Sequence, residues 1–263
     1  CLISLLSSLS GFENYDNAKI RKFAQTIDRM QIFYCEDISG DKAVFSREES
    51  GHCLRVLRMR RGDTLTFTDG RGNLYDGVIA TDDPKWMSVT ITSAKSDPLP
   101  GKYRLHVAIS PLKNEDRLEW FVEKAVEIGV DVITPVICSR SEKKRIRRER
   151  LEGIIISAMK QSGRCILPRL EEPETAEEFT RRPAKGKRII ATCDSSFDRR
   201  GITEAFNRGD NVTILIGPEG DFTPEEVKAA ISAGYVPVHI GTGRLRTETA
   251  GIAACCSVYL ANI

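Results

Sequence analysis

The stretch that most constrains the fold lies near the end of the chain. Two glycine-bearing loops, 217-GPEGDFT-223 and 241-GTGRLRTETAG-251, each leave an apolar run and each lead into a helix-like one. The runs before them, 211–216 and 236–240, read as strands. Thr223 is placed to cap a helix that begins at Pro224, with Glu226 three residues beyond the cap. Thr247 or Thr249 is placed to cap a helix over 250–261. Two neighbouring strand–loop–helix units create a pocket at the carboxyl ends of parallel strands, the place where open α/β sheets hold ligands.

Upstream, the periodicity changes character once. From 103 onward strands and helices alternate, which predicts an α/β domain with a mostly parallel sheet. A helix with Leu118, Phe121, Val122 and Ala125 on one face should end at Gly129. Before 95 the pattern is period-two alternation broken by Gly/Asp turns, as in a hairpin-rich small β-barrel. Ser46 and Glu49 predict a helix start, with the helix running to about Leu57. The Pro/Gly-bearing stretch 95–102 reads as a linker. The expected domains are therefore 30–98 and 102–263. Residues 1–29 read as an extension outside the working protein, because Met30 directly precedes the first convincing strand. The apolar start, 1–10, is too short to span a bilayer and lacks the basic flank of a signal peptide, so no membrane role is expected.

A net charge of +2 excludes a general polycation, so local charge carries the information. The segment 52–63 holds Arg55, Arg58, Arg60 and Arg61 with no acid until Asp63, and His52 opens it. Such a patch suits phosphates, against the plainer reading of a solvated helix end. A second basic run, 140–150, contains Glu142 and Glu149 and competes more evenly with a solvated helix face; together the two runs are compatible with one extended polyanion. His106 and His239 sit within apolar strands and read as core histidines. Eight scattered cysteines form no C-x-x-C and pair with no histidine at zinc spacing. They predict a reducing, cytoplasmic location and no metal site. The fingerprints of dinucleotide, P-loop and serine-hydrolase sites are absent. In the second loop an arginine can hold a phosphate or stabilise a developing anion; equally, Arg246 and Glu248 can form a structural ion pair. Spacing does not separate the two.

The pair 217–222 and 241–250, with 52–63, 123–136, 139–141 and 161–170 in order, resembles the ribosomal RNA small-subunit methyltransferase E family of the SPOUT class. The resemblance covers 30–263. It implies a PUA-like N-terminal barrel and a trefoil-knotted C-terminal α/β domain, an exception to the rule against knots. It implies S-adenosylmethionine as cofactor, N3 of a uridine in 16S ribosomal RNA as target, the small ribosomal subunit as partner, a role in ribosome biogenesis, and a homodimer. Matched by position, Gly217, Pro218, Glu219 and Gly220 form the first cofactor loop. Ile240, Gly241, Leu245, Arg246 and Thr247 form the second, with Cys193 bordering the site. Asp221 departs from the family, where a second glycine is common. If that position needs a positive φ, Asp tolerates it better than most residues.

On this reading Arg246 stabilises the anion formed when uridine N3 loses its proton, and Glu248 is a candidate base. His52, Arg55, Arg58, Arg60 and Arg61 contact RNA. The alternatives are an RNA-binding or assembly protein without activity, and a methyltransferase for another RNA nucleotide.

Overall fold

The structure, a computed structural model, describes residues 31–96, 103–183 and 185–263. The expected extension 1–29 and the middle of the 95–102 linker lie outside the described residues. The chain divides into two compact units. One comprises the residues up to Phe67 with Tyr75–Ser93, and the other Thr68–Leu74 with Ala94–Ile263. Thr68–Leu74 falls in the second unit through its own bonds there. Thr68 Oγ1 donates to the Cys165 carbonyl at 3.1 Å, and the Leu167 amide donates to the Gly70 carbonyl at 2.8 Å.

The N-terminal sheet contains β1 (Ile32–Tyr34), β2 (Asp37–Ser39), β3 (Lys42–Val44), β4 (Thr64–Thr68), β5 (Asn73–Thr81) and β6 (Ser88–Ser96). They run in the order β1-β4-β5-β6-β3-β2. The inward residues of the alternating pattern make one core around Phe33, Phe45, Phe67, Ile79 and Met87. Helix α1 (Arg47–Gly51) starts where Ser46 Oγ accepts from the Glu49 amide at 3.2 Å. It does not continue to Leu57 as an α-helix. His52–Val56 is a π-helical turn, with the Leu57 amide donating to His52 O and the Met59 amide to Cys53 O. Arg58 follows in the left-handed region, φ 61°. Arg55 and Arg58 therefore do not share an α-helical face.

In the second unit β7 (Leu105–Ile109), β8 (Val132–Ile137), β11 (Lys187–Ala191), β13 (Val212–Ile216) and β14 (Val236–His239) form a parallel sheet. Short strands β9 (Arg169–Leu170), β10 (Glu174–Thr175) and β12 (Arg200–Gly201) extend it. The order is β10-β8-β7-β13-β11-β14-β12, with β9 on β8. β11 thus separates β13 from β14, although no other strand lies between these two in sequence. Its Ala191 is level with Ile216 on one side and Val238 on the other, so three strand ends meet at one edge. Being buried on both faces, β13 is apolar apart from Thr213.

Helices cover both faces. α4 (Ala176–Arg181) and α5 (Pro224–Ser232) bring Phe179, Val227 and Ala230 onto Ala108, Val136, Ile190 and Leu215. Both start with capping boxes, Thr175 with Glu178 and, as expected, Thr223 with Glu226. α2 (Glu115–Ile128) ends at left-handed Gly129 and packs on α3 (Arg148–Gln161) and α6 (Thr247–Leu260). Neither expected threonine caps α6. It begins at Thr247, with Arg246 as cap residue and no side-chain cap bond. α6 approaches closely because Gly251 has no side chain; a Cβ there would lie 2.6 Å from Phe121 Cε2.

His106 is a satisfied, largely buried histidine, its Nε2 2.7 Å from Thr134 Oγ1 and 4.0 Å from Glu171 Oε2. Burial lowers its pKa to about 4, and the nearby Glu171 carboxylate only partly opposes this. Because the folded pKa is below the unfolded one, protons bind the unfolded state first. Stability from this group is present above about pH 6.5 and is lost as pH falls towards 4, by up to about 3 kcal/mol. Comparing urea unfolding of wild type with His106→Gln should show the wild type losing more stability over that window; equal slopes would contradict it. Gly251→Ala should destabilise by about 1–3 kcal/mol through overpacking on Phe121. Helix propensity alone predicts a gain of roughly 1 kcal/mol for the same change, so the sign of the shift in denaturation midpoint decides.

Candidate functional site

A cleft of about 850 Å³ opens where the three strand ends meet. One wall is Ala191–Cys193 after β11. A second is Ile216–Glu219 with Asp221, after β13. The third is the continuous stretch Val238–Thr247 after β14. Nine of the residues expected at a ligand site line it: Cys193, Gly217, Pro218, Glu219, Ile240, Gly241, Leu245, Arg246 and Thr247. They come together because the parallel register brings their strands level.

Two expected residues do not line the cleft. Gly220 faces away, beside the Arg140 side chain, and its carbonyl accepts from Arg140 Nη1 at 2.9 Å. Glu248 is buried in the first turn of α6. Its Oε1 is 3.7 Å from Arg117 Nε on α2, and its Oε2 has no hydrogen-bond partner among the described residues. A carboxylate held there supports the join between two helices. Its ion-pair partner is thus Arg117, not Arg246, which remains exposed at the head of α6.

The first loop is held rigidly. Gly217 leaves room for the buried Phe222 ring; a Cβ would sit 2.9 Å from Phe222 Cε2. From the β8 side, Arg140 Nη1 also donates to Phe222 O at 3.1 Å. Glu226 joins the same assembly, its Oε1 accepting from the Ser139 amide at 2.7 Å and its Oε2 from the Thr223 amide at 2.8 Å. The second loop has fewer restraints. Gly241 turns it at φ 148°, and 241–246 is exposed throughout.

The sequence reading missed Thr192, Arg199 and His239, which also line the cleft. His239 looked like a core residue because an apolar strand precedes it. It is the last residue of β14, at the rim. Asp221, noted only as a departure, adopts φ 60° and lines the wall.

In the N-terminal unit Arg55, Arg58, Arg60 and Arg61 are exposed. Arg60 is the least available, since its Nη1 donates to Leu54 O at 3.5 Å and Met59 O at 3.3 Å, closing the helix end. Arg55, Arg58 and Arg61 have no ion pair among the described residues. His52 is half-buried, with Nε2 3.2 Å from Gln31 Nε2. The second basic run is mostly neutralised: Lys143 and Arg147 pair with Glu115, Arg150 with Glu119, and Arg148 with Glu152. Most of it, 140–147, is a loop ahead of α3 and not the helix face expected. Among the described residues no group of three or more His, Cys, Asp or Glu could hold a metal ion, and no helix is long and apolar enough to cross a membrane.

A tightly restrained loop, a sparsely restrained loop and two exposed arginines, Arg244 and Arg246, around a cleft of this size suit an elongated organic ligand with polar ends. Comparison with known proteins gives that cleft a family. Residues 99–259 match the RNA methyltransferase domain, and 45–91 match the RNA methyltransferase PUA domain. The chain is 28% identical over 232 residues to ribosomal RNA small subunit methyltransferase E of Buchnera aphidicola subsp. Acyrthosiphon pisum, covering 85% of this chain and 90% of that one. A probable rRNA-methyltransferase from Porphyromonas gingivalis superposes with a TM-score of 0.82 at 42% identity, covering 88% of this chain and 98% of that one. Ribosomal RNA small subunit methyltransferase E from Neisseria gonorrhoeae, solved bound to S-adenosyl methionine, gives 0.74 at 26% identity, covering 89% and 98%. With most of its C-terminal unit inside the domain match, this chain belongs to the RNA methyltransferase family, and small-subunit methyltransferases E are among its relatives.

Proposed function

We propose that this protein transfers a methyl group from S-adenosylmethionine to N3 of a uridine in 16S ribosomal RNA, as part of ribosome biogenesis. The observation that carries the reading is the cleft itself, in a chain of this family. Two loops at level strand ends enclose about 850 Å³, the size range of organic-ligand pockets.

The residues present fit that cofactor. The backbone at 217–219 and 240–241 can hold its polar groups, and Glu219 suits a ligand that carries positive charge. Leu245 offers apolar contact. When bound, S-adenosylmethionine supplies an already activated methyl group, so the protein's tasks are positioning and charge control. Arg246 performs the second task. Its guanidinium stands at the head of the fourteen-residue helix α6, whose N-terminal dipole adds positive potential. A uridine that has lost its N3 proton bears negative charge on the flanking oxygens, and Arg246 stabilises it. Glu248 keeps α6 and α2 in register through Arg117, and the N3 proton passes to solvent water at the open mouth of the cleft. Arg55, Arg58 and Arg61 bind RNA phosphates, with His52 beside them, and Arg60 shapes the turn that presents them. The target base is extruded to reach the cleft.

Two further features belong to this reading. The strand order, with β14 reaching past β11 and α6 returning onto β7 and β13, supports a knotted chain. α6 is apolar on nearly all sides, yet Tyr259 and Leu260 remain exposed, as does Trp120 on α2. Such a helix is ordinarily covered, which supports a homodimer formed through α2 and α6. Cys35 and Cys138 are buried free thiols, not halves of disulfides, which supports a reducing, cytoplasmic location.

Arg246→Ala should lower methyl transfer to unmethylated small subunits by about 10²–10³-fold in kcat, with turnover measured by incorporation of labelled methyl. Unchanged turnover would remove Arg246 from the mechanism. Arg55→Ala with Arg58→Ala should weaken RNA binding and reduce the slope of log K against log salt by about 1 per lost phosphate contact. An unchanged slope in a salt titration would show that these arginines do not meet phosphates.

A further inference from the structure

We infer that Asp221 is a positioning residue that latches the first loop to the end of β11 and so holds the methyl-donor pocket in its binding shape; this rests on the cofactor reading above. Asp221 stands at φ 60°, a left-handed conformation that costs an L residue and that glycine adopts freely. Retention of a strained side chain at a ligand site points to work done by that side chain.

The bonds show what that work is. Asp221 Oδ2 accepts from the Cys193 amide at 2.7 Å and from Thr192 Oγ1 at 3.0 Å. Its Oδ1 accepts from the Phe222 amide at 2.8 Å. Thr192, Cys193 and Asp221 all line the cleft. One carboxylate therefore ties the wall after β11 to the wall after the neighbouring strand β13. The other side of the same loop is tied by Arg140 to Gly220 O and Phe222 O. Glycine at 221 would relieve the backbone and leave the β11 side untied. Charge-assisted bonds of this kind are the stronger ones, so the loop's closed population depends on them. Apparent affinity for a ligand falls in proportion to the binding-competent fraction.

The test uses the full chain and calorimetric titration with S-adenosylmethionine. Asp221→Gly should raise the cofactor Kd by about tenfold, a change equivalent to one charge-assisted hydrogen bond. Asp221→Asn tolerates the same backbone and keeps one acceptor towards Thr192 and Cys193 but loses the charge and the acceptor for the Phe222 amide, so its affinity should fall between wild type and Asp221→Gly. Thr192→Val should raise Kd less, and should add little to Asp221→Gly because both break one latch. In turnover assays the defect should appear in KM for the cofactor, with KM for RNA unchanged. Wild type without saturable binding would overturn the cofactor reading and the positioning role with it. Wild-type binding with unchanged affinity in Asp221→Gly would overturn the latch alone. A variant that melts earlier and loses RNA KM equally would make Asp221 merely structural and overturn it as well.

Discussion

The site depends on the register of three parallel strands. Ala191 of β11 is level with Ile216 of β13 and with Val238 of β14. A parallel ladder slipped by one residue would turn every side chain to the opposite face. The apolar set of β13 would then meet the wrong helices, and the three loops would no longer end at one rim. Burial on both faces enforces the register, and the register builds the cleft.

The two loops at that rim are held differently. Around the first, Phe222, Arg140, Glu226 and Asp221 supply restraints from three directions. The second depends mainly on where α6 begins, and α6 depends on the close approach of Gly251 to Phe121 and on the Arg117–Glu248 pair. The first loop is thus suited to holding a ligand in fixed geometry. The second brings Arg246 to the mouth of the cleft. This division follows the placement of buried partners and requires no motion to be assumed.

Much of this was legible in the sequence, for physical reasons that differ by element. β13 and the Thr223–Glu226 start of α5 were readable because burial and capping act locally. Nine cleft residues were named by the resemblance to the methyltransferase family, on loops whose preceding strands are legible from their apolar runs. Glu248, expected as a candidate base or as a partner of Arg246, turns away from the cleft towards Arg117, since helical phase at a first turn depends on where the helix starts. Expecting a threonine cap moved that start; the observed cap residue is Arg246. The helix expected to run to about Leu57 departs for a similar reason: the π-helical turn at 52–56 changes the period. Asp221's bonds to Thr192 and Cys193 bridge residues 28 and more apart in sequence, and no local pattern reports such a pairing. His239 was hidden by an apolar strand, whose last residue escapes burial at the rim.

The central claim is that the cleft serves methylation of a uridine at N3 in small-subunit RNA. The most direct measurement supplies small ribosomal subunits from cells lacking this modification with methyl-labelled S-adenosylmethionine and the purified protein, then maps the labelled nucleotide. The account predicts label at N3 of one uridine in 16S ribosomal RNA. Label at another position, or none while the protein still binds S-adenosylmethionine, would contradict it.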